Sequence, residues 1–466
     1  MTVAEATIAE ALAERIASVT FDRLPADAVH WAKVAILDTV GCTLAGAHED
    51  CARIIGQVAT IGSSGGDCLV FGSDRRVSPL DAALINGTAA HALDYDDCSD
   101  TLGGHPSAPV LPALFALAET RPVSGRDFLA SYVAGWEAET RIARGVNFHH
   151  YTKGWHPTAT LGVFGAAATC SHMLGLQPTQ TARALALAAT FSSGLKANFG
   201  TMTKPLHVGH AARNGLLAAL LAADGFTSST DAIEHKQGFL HVFNGAGNFN
   251  ADAILADWGA PWDIVSPGVA IKQYPCCGST HPAIDAMLML VRDHDLTPTK
   301  VARIESWTHP RRLAHTNRPD PQSELDAKFS VQYCLARAVV SGRVSIEHFE
   351  GDSYRDPAIR ALLPRIGSEA QAPKPVDDGE HFGADVKVTL TDGRVLTRSV
   401  PRPLGRGPTI PLPADLLEIK FLNCAQRALP AGTARGLLGM LRGLEGLNRV
   451  RSLTDAMVPP ERMAAE

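Results

Sequence analysis

The chain has 466 residues, 45% of them hydrophobic and 19% charged, with a formal net charge of −6. That is too long for one ordinary core and too apolar for disorder, so two globular domains are expected. The small charge gives no concentrated basic face and so no reason to expect a nucleic-acid partner. The apolar run Gly215 to Ala223 falls short of the roughly 20 residues a membrane span needs.

From the N-terminus, Met1 to Ala17 carries Glu5, Glu10, Glu14 and Arg15 at helical spacing. This predicts an amphipathic helix, not a signal or transit peptide, and the cytoplasm as the compartment. Pro25 suits the first turn of a helix through Val34, Leu37 and Val40. Ser124 followed by Asp127 resembles a capping box for a helix through Phe128, Val133 and Trp136. Pro178 opens a helix carrying Leu185 and Leu187, and His210 to Ala223 predicts another, ending near Gly225. The first 260 residues thus read as helical, with alanine-rich stretches that favour close helix contacts.

The pattern changes after Pro267. Val301 to Thr308 alternates as a strand, and so do Val386, Val388 and Leu390 and the run Val395 to Val400. Asp392-Gly393 between the last two predicts a hairpin. Ser330 to Val340 and Pro357 to Leu363 read as helices. The expected organisation is a mainly α protein: a helical domain over 1–267, a smaller inserted α+β domain over 268–405, and a helical tail over 406–466 that returns to the first. The nine cysteines are odd in number and scattered. With no C-x-x-C among them, they predict reduced, mostly buried thiols and neither a zinc ribbon nor an iron–sulfur cluster.

The densest polar cluster is His91-Ala-Leu-Asp94-Tyr95-Asp96-Asp97-Cys98, followed by His105-Pro106-Ser107. It falls at and just past the apolar helix Ala82 to Ala90, where side chains can converge on a pocket. A carboxylate beside a histidine orients it and shifts its pKa. Any one of these residues serves equally as an acidic cap; the cluster together points to function. His156 precedes the helix Leu161 to Ala168, near the positive end of its dipole. That position suits a neutral base or a hydrogen-bond donor, or simply a polar cap.

In Thr203-Lys204-Pro205-Leu206-His207-Val208-Gly209-His210, Lys204 precedes a proline and is expected to be extended, ahead of the helix, where it can grip a carboxylate. His207 and His210 form a weak candidate metal pair that more often packs or caps. At the expected domain boundary, Lys272, Ser279 and His281 offer an anion-binding set, since ligand sites favour such boundaries. Taken alone they form an ordinary polar linker. His315 and Arg318 form a basic loop with surface solvation as its plain alternative.

There is no G-x-S-x-G elbow, P-loop or dinucleotide loop. Histidines with lysines fit a small di- or tricarboxylate. Removing a proton beside a carboxylate needs a base and stabilisation of an enolate-like charge, and the sequence supplies candidates for both.

Four blocks resemble the MmgE/PrpD family in order and spacing: Leu93 to Asp97 with His105 to Ser107, the stretch around His156, Thr203 to Gly215, and Lys272 to Ala286. The family includes 2-methylcitrate dehydratase, cis-aconitate decarboxylase and iminodisuccinate epimerase. The resemblance implies a large helical domain with a smaller α+β lid, a homodimer, and no metal or organic cofactor. It also implies catalytic roles for Asp94, His105, His156, Lys204 and Lys272. Substrate contacts are expected from Cys98, Ser279, His281, His315 and Arg318. Cys98 stands where decarboxylase-like members carry threonine, and His315 where they carry a tyrosine. These departures put a dehydratase of the 2-methylcitrate type first. An epimerase, a cis-aconitate-type decarboxylase and a non-enzymatic dicarboxylate-binding protein follow as alternatives.

Overall fold

The computed structural model describes residues 6–62, 65–372 and 382–459. The first five residues of the expected N-terminal helix lie outside this range; the described helix is Ile8–Ala17, capped by Thr7 and Glu10. The protein is mainly α, with 57% helix and 8% strand. Its two compact units are Met1–Ile271 with Pro413–Glu466, and Lys272–Leu412.

In the larger unit, alanine-rich faces of the helices Pro79–His91, Ser107–Ala118, Gly162–Leu174 and Thr203–Ala223 share a core that includes Ala82, Ala113, Ala166, Ala212 and Leu216. Small residues decide how close these helices come. A Cβ on Gly87 would sit 2.8 Å from Cα of Gly209, and one on Gly209 would sit 2.2 Å from the carbonyl oxygen of Leu84. Only glycine at both positions permits this crossing. It brings the end of Pro79–His91 beside the start of Thr203–Ala223, above a small apolar cluster of Ala90, Ala108 and Val208.

The second of these helices begins earlier than its sequence suggests. Lys204 was expected in extended backbone, yet the helix starts at Thr203 and includes it. Pro205 lies in the first turn, where the missing N–H has no intrahelical partner to lose. Ser124 accepts from the Asp127 N–H and caps Gly125–Val146 as expected. Two short antiparallel ladders interrupt the helices: Cys68–Leu69 with Arg76–Val77, and Cys98–Ser99 with Val269–Ala270. The helices Ala414–Ala425 and Ala431–Arg442 complete this unit.

The smaller unit is built on a four-stranded sheet in the order Ile366–Ala370, Val301–Thr308, Ala384–Leu390, Val395–Val400. The last two strands form the hairpin expected at Asp392-Gly393, antiparallel with Val388 opposite Leu396. Alternate residues Val386, Val388 and Leu390 enter a core with Ile284 and Met287 of His281–His294 and Leu335 of Val331–Ser341. Ile366–Ala370, parallel to Val301–Thr308, was not anticipated: it is a largely exposed edge strand without regular alternation. Among the described residues, no helix is long and apolar enough to cross a membrane.

Candidate active site

The loop after Pro79–His91 turns sharply at Asp94, whose φ is 53°. Left-handed backbone is costly for a residue with a Cβ and is tolerated best by Asn and Asp. Buried contacts hold the loop from several sides. The next carbonyl, of Tyr95, accepts from Nζ of Lys420 at 2.7 Å, and that ammonium also pairs with Asp38 at 2.6 Å. Asp97 accepts from the Ser107 backbone N–H at 3.2 Å and from its hydroxyl at 2.5 Å, drawing His105-Pro106-Ser107 back to the loop. The ladder of Cys98–Ser99 with Val269–Ala270 secures the far side.

Asp96 is fully buried and bridges two imidazoles. Nδ1 of His91 lies 2.9 Å from its Oδ1, and Nδ1 of His105 lies 3.1 Å from its Oδ2. The other nitrogen of His105, Nε2, lies 3.4 Å from Oδ1 of Asp94. The same Asp94 oxygen receives Nζ of Lys204 at 2.8 Å. An ionised carboxylate only accepts, so both nitrogens of His105 are set to donate. The result is a continuous buried network: His91, Asp96, His105, Asp94, Lys204.

Burial alone would raise the Asp96 carboxyl, but the imidazoles of His105 and His91 outweigh it and hold it well below the usual range. Its neighbour Asp97 goes the other way: burial pushes it well up, with Asp38 and Asp96 adding repulsion and Ser107 opposing. Burial depresses His91 to about 4, aided by Lys204 and His105 and opposed by Asp96. His91 is therefore neutral at pH 7, with its proton on Nδ1 facing Asp96 and its Nε2 without a hydrogen-bond partner among the described residues.

His156 precedes the short helix Pro157–Thr160, as its sequence position suggested. Its ring centroid lies 5.8 Å from that of His91, and burial, then His91, Lys204, His207 and His105, depress it strongly. The two histidine segments are tied by Thr158, whose hydroxyl accepts from the His105 backbone N–H at 3.1 Å. The Cys98 thiol lies 3.8 Å from Nδ1 of His105. Thus Asp94, Cys98, His105, His156 and Lys204 come together in the larger unit.

Lys272 begins the smaller unit. A Cβ on Gly278 would lie 3.8 Å from its Cε and 4.0 Å from Nη1 of Arg406. Ser279 Oγ is 3.1 Å from Nε2 of His315 and accepts from Nη1 of Arg312 at 3.3 Å. Arg312 and Arg406 both lie over the Phe382 ring, at 3.8 and 3.9 Å from its centroid. Lys272, Ser279 and His315 therefore share a cationic neighbourhood with two arginines the sequence did not single out. His281 and Arg318 are placed differently. His281 is buried, its Nε2 3.3 Å from the Cys276 carbonyl and its ring edge-on to Tyr274. Arg318 pairs with Asp326 at 2.6 Å.

His207 and His210 point to different partners. His207 meets His156 at 3.3 Å, while His210 meets Ser193 and Asn214. The stronger candidate metal group is one that sequence spacing did not reveal: His91, Asp94, Asp96 and His105, whose ligand atoms lie within 4.8 Å of one another. Two imidazoles and two carboxylates suit a divalent ion chemically. In this arrangement, however, an ammonium already lies on Asp94 and imidazole nitrogens face Asp96. The residues as placed fit a proton network better than a coordination shell.

A helical unit carrying a buried imidazole–carboxylate–lysine network, joined to a smaller α+β unit, defines the class of protein. The MmgE/PrpD N-terminal domain profile matches residues 10–252, and the MmgE/PrpD C-terminal domain profile matches residues 274–445. The chain belongs to the MmgE/PrpD family of enzymes. It is 31% identical to the cis-aconitate decarboxylase of Homo sapiens, over 97% of this chain and 95% of the relative. It is 28% identical to the cis-aconitate decarboxylase of Aspergillus terreus, over 94% and 93%. Identity to the 2-methylcitrate dehydratase of Cupriavidus necator is 26%, over 86% of each chain.

Proposed function

We propose that this chain is a decarboxylase of the cis-aconitate type that uses its own side chains to move the proton. The observation that carries the reading is His105, with a carboxylate at each ring nitrogen. Decarboxylation of a tricarboxylate trianion breaks one C–C bond and releases CO2. The electron pair stays on carbon, spread toward a neighbouring carboxylate. One proton then adds at carbon to give the dianion. The reaction therefore consumes a proton and needs a donor close to positive charge.

His105, whose two ring nitrogens each face a carboxylate that accepts from an N–H, is the donor in this reading. Asp96 orients its ring through Nδ1, and Asp94 holds Nε2 until substrate takes that place. Lys204, in the larger unit, is assigned to a substrate carboxylate; in the smaller unit Lys272, with Ser279, His315, Arg312 and Arg406, supplies a group suited to binding carboxylates. Sequence departures at Cys98 and His315 favour dehydration as the first reading; the higher identity and fuller coverage of the decarboxylase relatives weigh the other way.

The test is a deuterium-oxide assay with cis-aconitate, 2-methylcitrate, citrate and iminodisuccinate. Release of CO2 with one deuterium bound to carbon in the product is the expected result. Water loss with new ultraviolet absorbance and no CO2 would replace this reading with dehydration. Deuterium entering recovered substrate without net loss would replace it with epimerisation. No turnover or exchange with any of the four would leave a binding protein as the better account.

A further inference from the structure

His207 follows Lys204 by one turn on Thr203–Ala223, and its Nδ1 lies 3.3 Å from Nδ1 of His156. Two facing imidazole nitrogens bond only if one carries a hydrogen and the other does not. Burial depresses both rings, with His210 and Lys204 adding to the effect on His207. The pair therefore holds complementary tautomers.

The contact is built into the backbone. The His156 N–H donates to the Gly194 carbonyl at 3.0 Å, and Trp155 pairs with Leu195. Gly194 has φ 134°, and a Cβ there would lie 3.1 Å from that of Ala159 and 3.5 Å from Nδ1 of His207. Glycine lets this strap lie against both histidines. Phe199 meets the His156 ring edge-on at 4.9 Å and fixes its plane.

We propose that His207 is a positioning residue: its Nδ1–H donates to Nδ1 of His156 and fixes His156 as the Nε2–H tautomer, a neutral donor to the substrate carboxylate toward which charge spreads as CO2 leaves, so that its bond strengthens in the transition state. The direction of this bond rests on the decarboxylase reading. A polyanion in a proton-consuming reaction calls for donors, whereas abstraction of a carbon-bound proton calls for a bare Nε2 on the same ring. The groups around His156 are His91, His105, Lys204 and His207.

The test is nitrogen NMR of the full chain labelled with 15N-histidine, with the His156 signals identified by their loss in His156→Gln. The expected spectrum has a protonated Nε2 and a bare Nδ1 on His156, and His207→Ala loses that preference. Turnover of His207→Ala should fall about 10- to 100-fold, because a mis-set donor costs much of what an absent one does, while KM stays within about twofold. His207→Asn, whose amide N–H can reach the same nitrogen, should recover most of the loss. A bare Nε2 on His156, or unchanged turnover in His207→Ala, overturns the proposal. The spectrum needs no substrate, so it separates the two readings: a protonated Nε2 without CO2 release sinks the decarboxylase alone. If His207→Ala does not fold, the native spectrum and His207→Asn still decide.

Discussion

In the larger unit, Asp94, Asp96, His91, His105 and Lys204 are buried with opposite charges and ring nitrogens within 3.4 Å of each other. In the smaller unit, Lys272, Arg312, Arg406 and His315 gather around Ser279, Gly278 and Phe382, and all but Lys272 are partly exposed. The first environment fixes where protons sit. The second concentrates positive charge with looser geometry. If that contrast is functional, substitutions in the first act on turnover and those in the second on substrate affinity.

His105→Ala should give the largest effect, a loss in kcat of about 10²–10⁴-fold with KM changed much less. Steady-state kinetics on the folded variant checks this, and a loss confined to KM would erase the contrast. The next effect is on stability. His91 is fully buried with its pKa depressed from 6.5 to about 4. A group depressed on folding contributes its full stability above its unfolded pKa and loses it as pH falls through the folded value. The window is therefore pH 6.5 down to about 4, and the amount is about 3 kcal/mol. Thermal melts across this range should show Tm falling on acidification, and His91→Gln should flatten the curve. His150 and His156, also depressed chiefly by burial, act in the same sense over this range, so the flattening is partial, whereas the depressed Asp96 acts only below its ordinary value of 3.8; an unchanged curve would remove His91 from the account.

Lys272→Ala should raise KM about 10- to 100-fold, the range for a charged hydrogen bond to a carboxylate, with a smaller change in kcat. Arg406→Ala, at a partly exposed cation, should raise KM only about threefold. An equal fall in kcat for both would place proton handling in the smaller unit as well.

Local signals were legible. The Asp392-Gly393 hairpin, the Ser124 cap and the position of His156 before a helix each depend on residues within a few positions of one another, and each is present. The cluster His91 to His105 was legible as a cluster, but the bridging role of Asp96 was not. Nothing in a sequence of three nearby acids says which one lies between two imidazoles. Lys204 on Asp94 joins residues 110 positions apart, and Lys420 on Tyr95 joins residues 325 apart. Such pairs are set by helix packing, here by the close crossing at Gly87 and Gly209. Arg312 and Arg406 are far apart in the chain, and only the fold places both over the Phe382 ring. Lys204 is helical although a proline follows it, because Pro205 lies in the first turn of the helix, where proline is tolerated.

The smallest expected effect is that of a chelator. His91, Asp94, Asp96 and His105 are close enough to ligate a divalent ion. Ligation would require neutral imidazole lone pairs and bare carboxylate oxygens, so the ion would have to displace the Lys204 ammonium from Asp94 and the imidazole protons facing Asp96. It would thereby discharge the donor that the decarboxylation reading depends on. Enzyme dialysed against a strong chelator, in buffer that keeps thiols reduced, should then retain the activity of untreated enzyme. Loss of activity restored by one divalent metal would turn the same four residues into a coordination shell. Lys204 would then be a second ligand's competitor and not its partner, and the contrast between the two units would become one between a metal centre and an anion-binding surface.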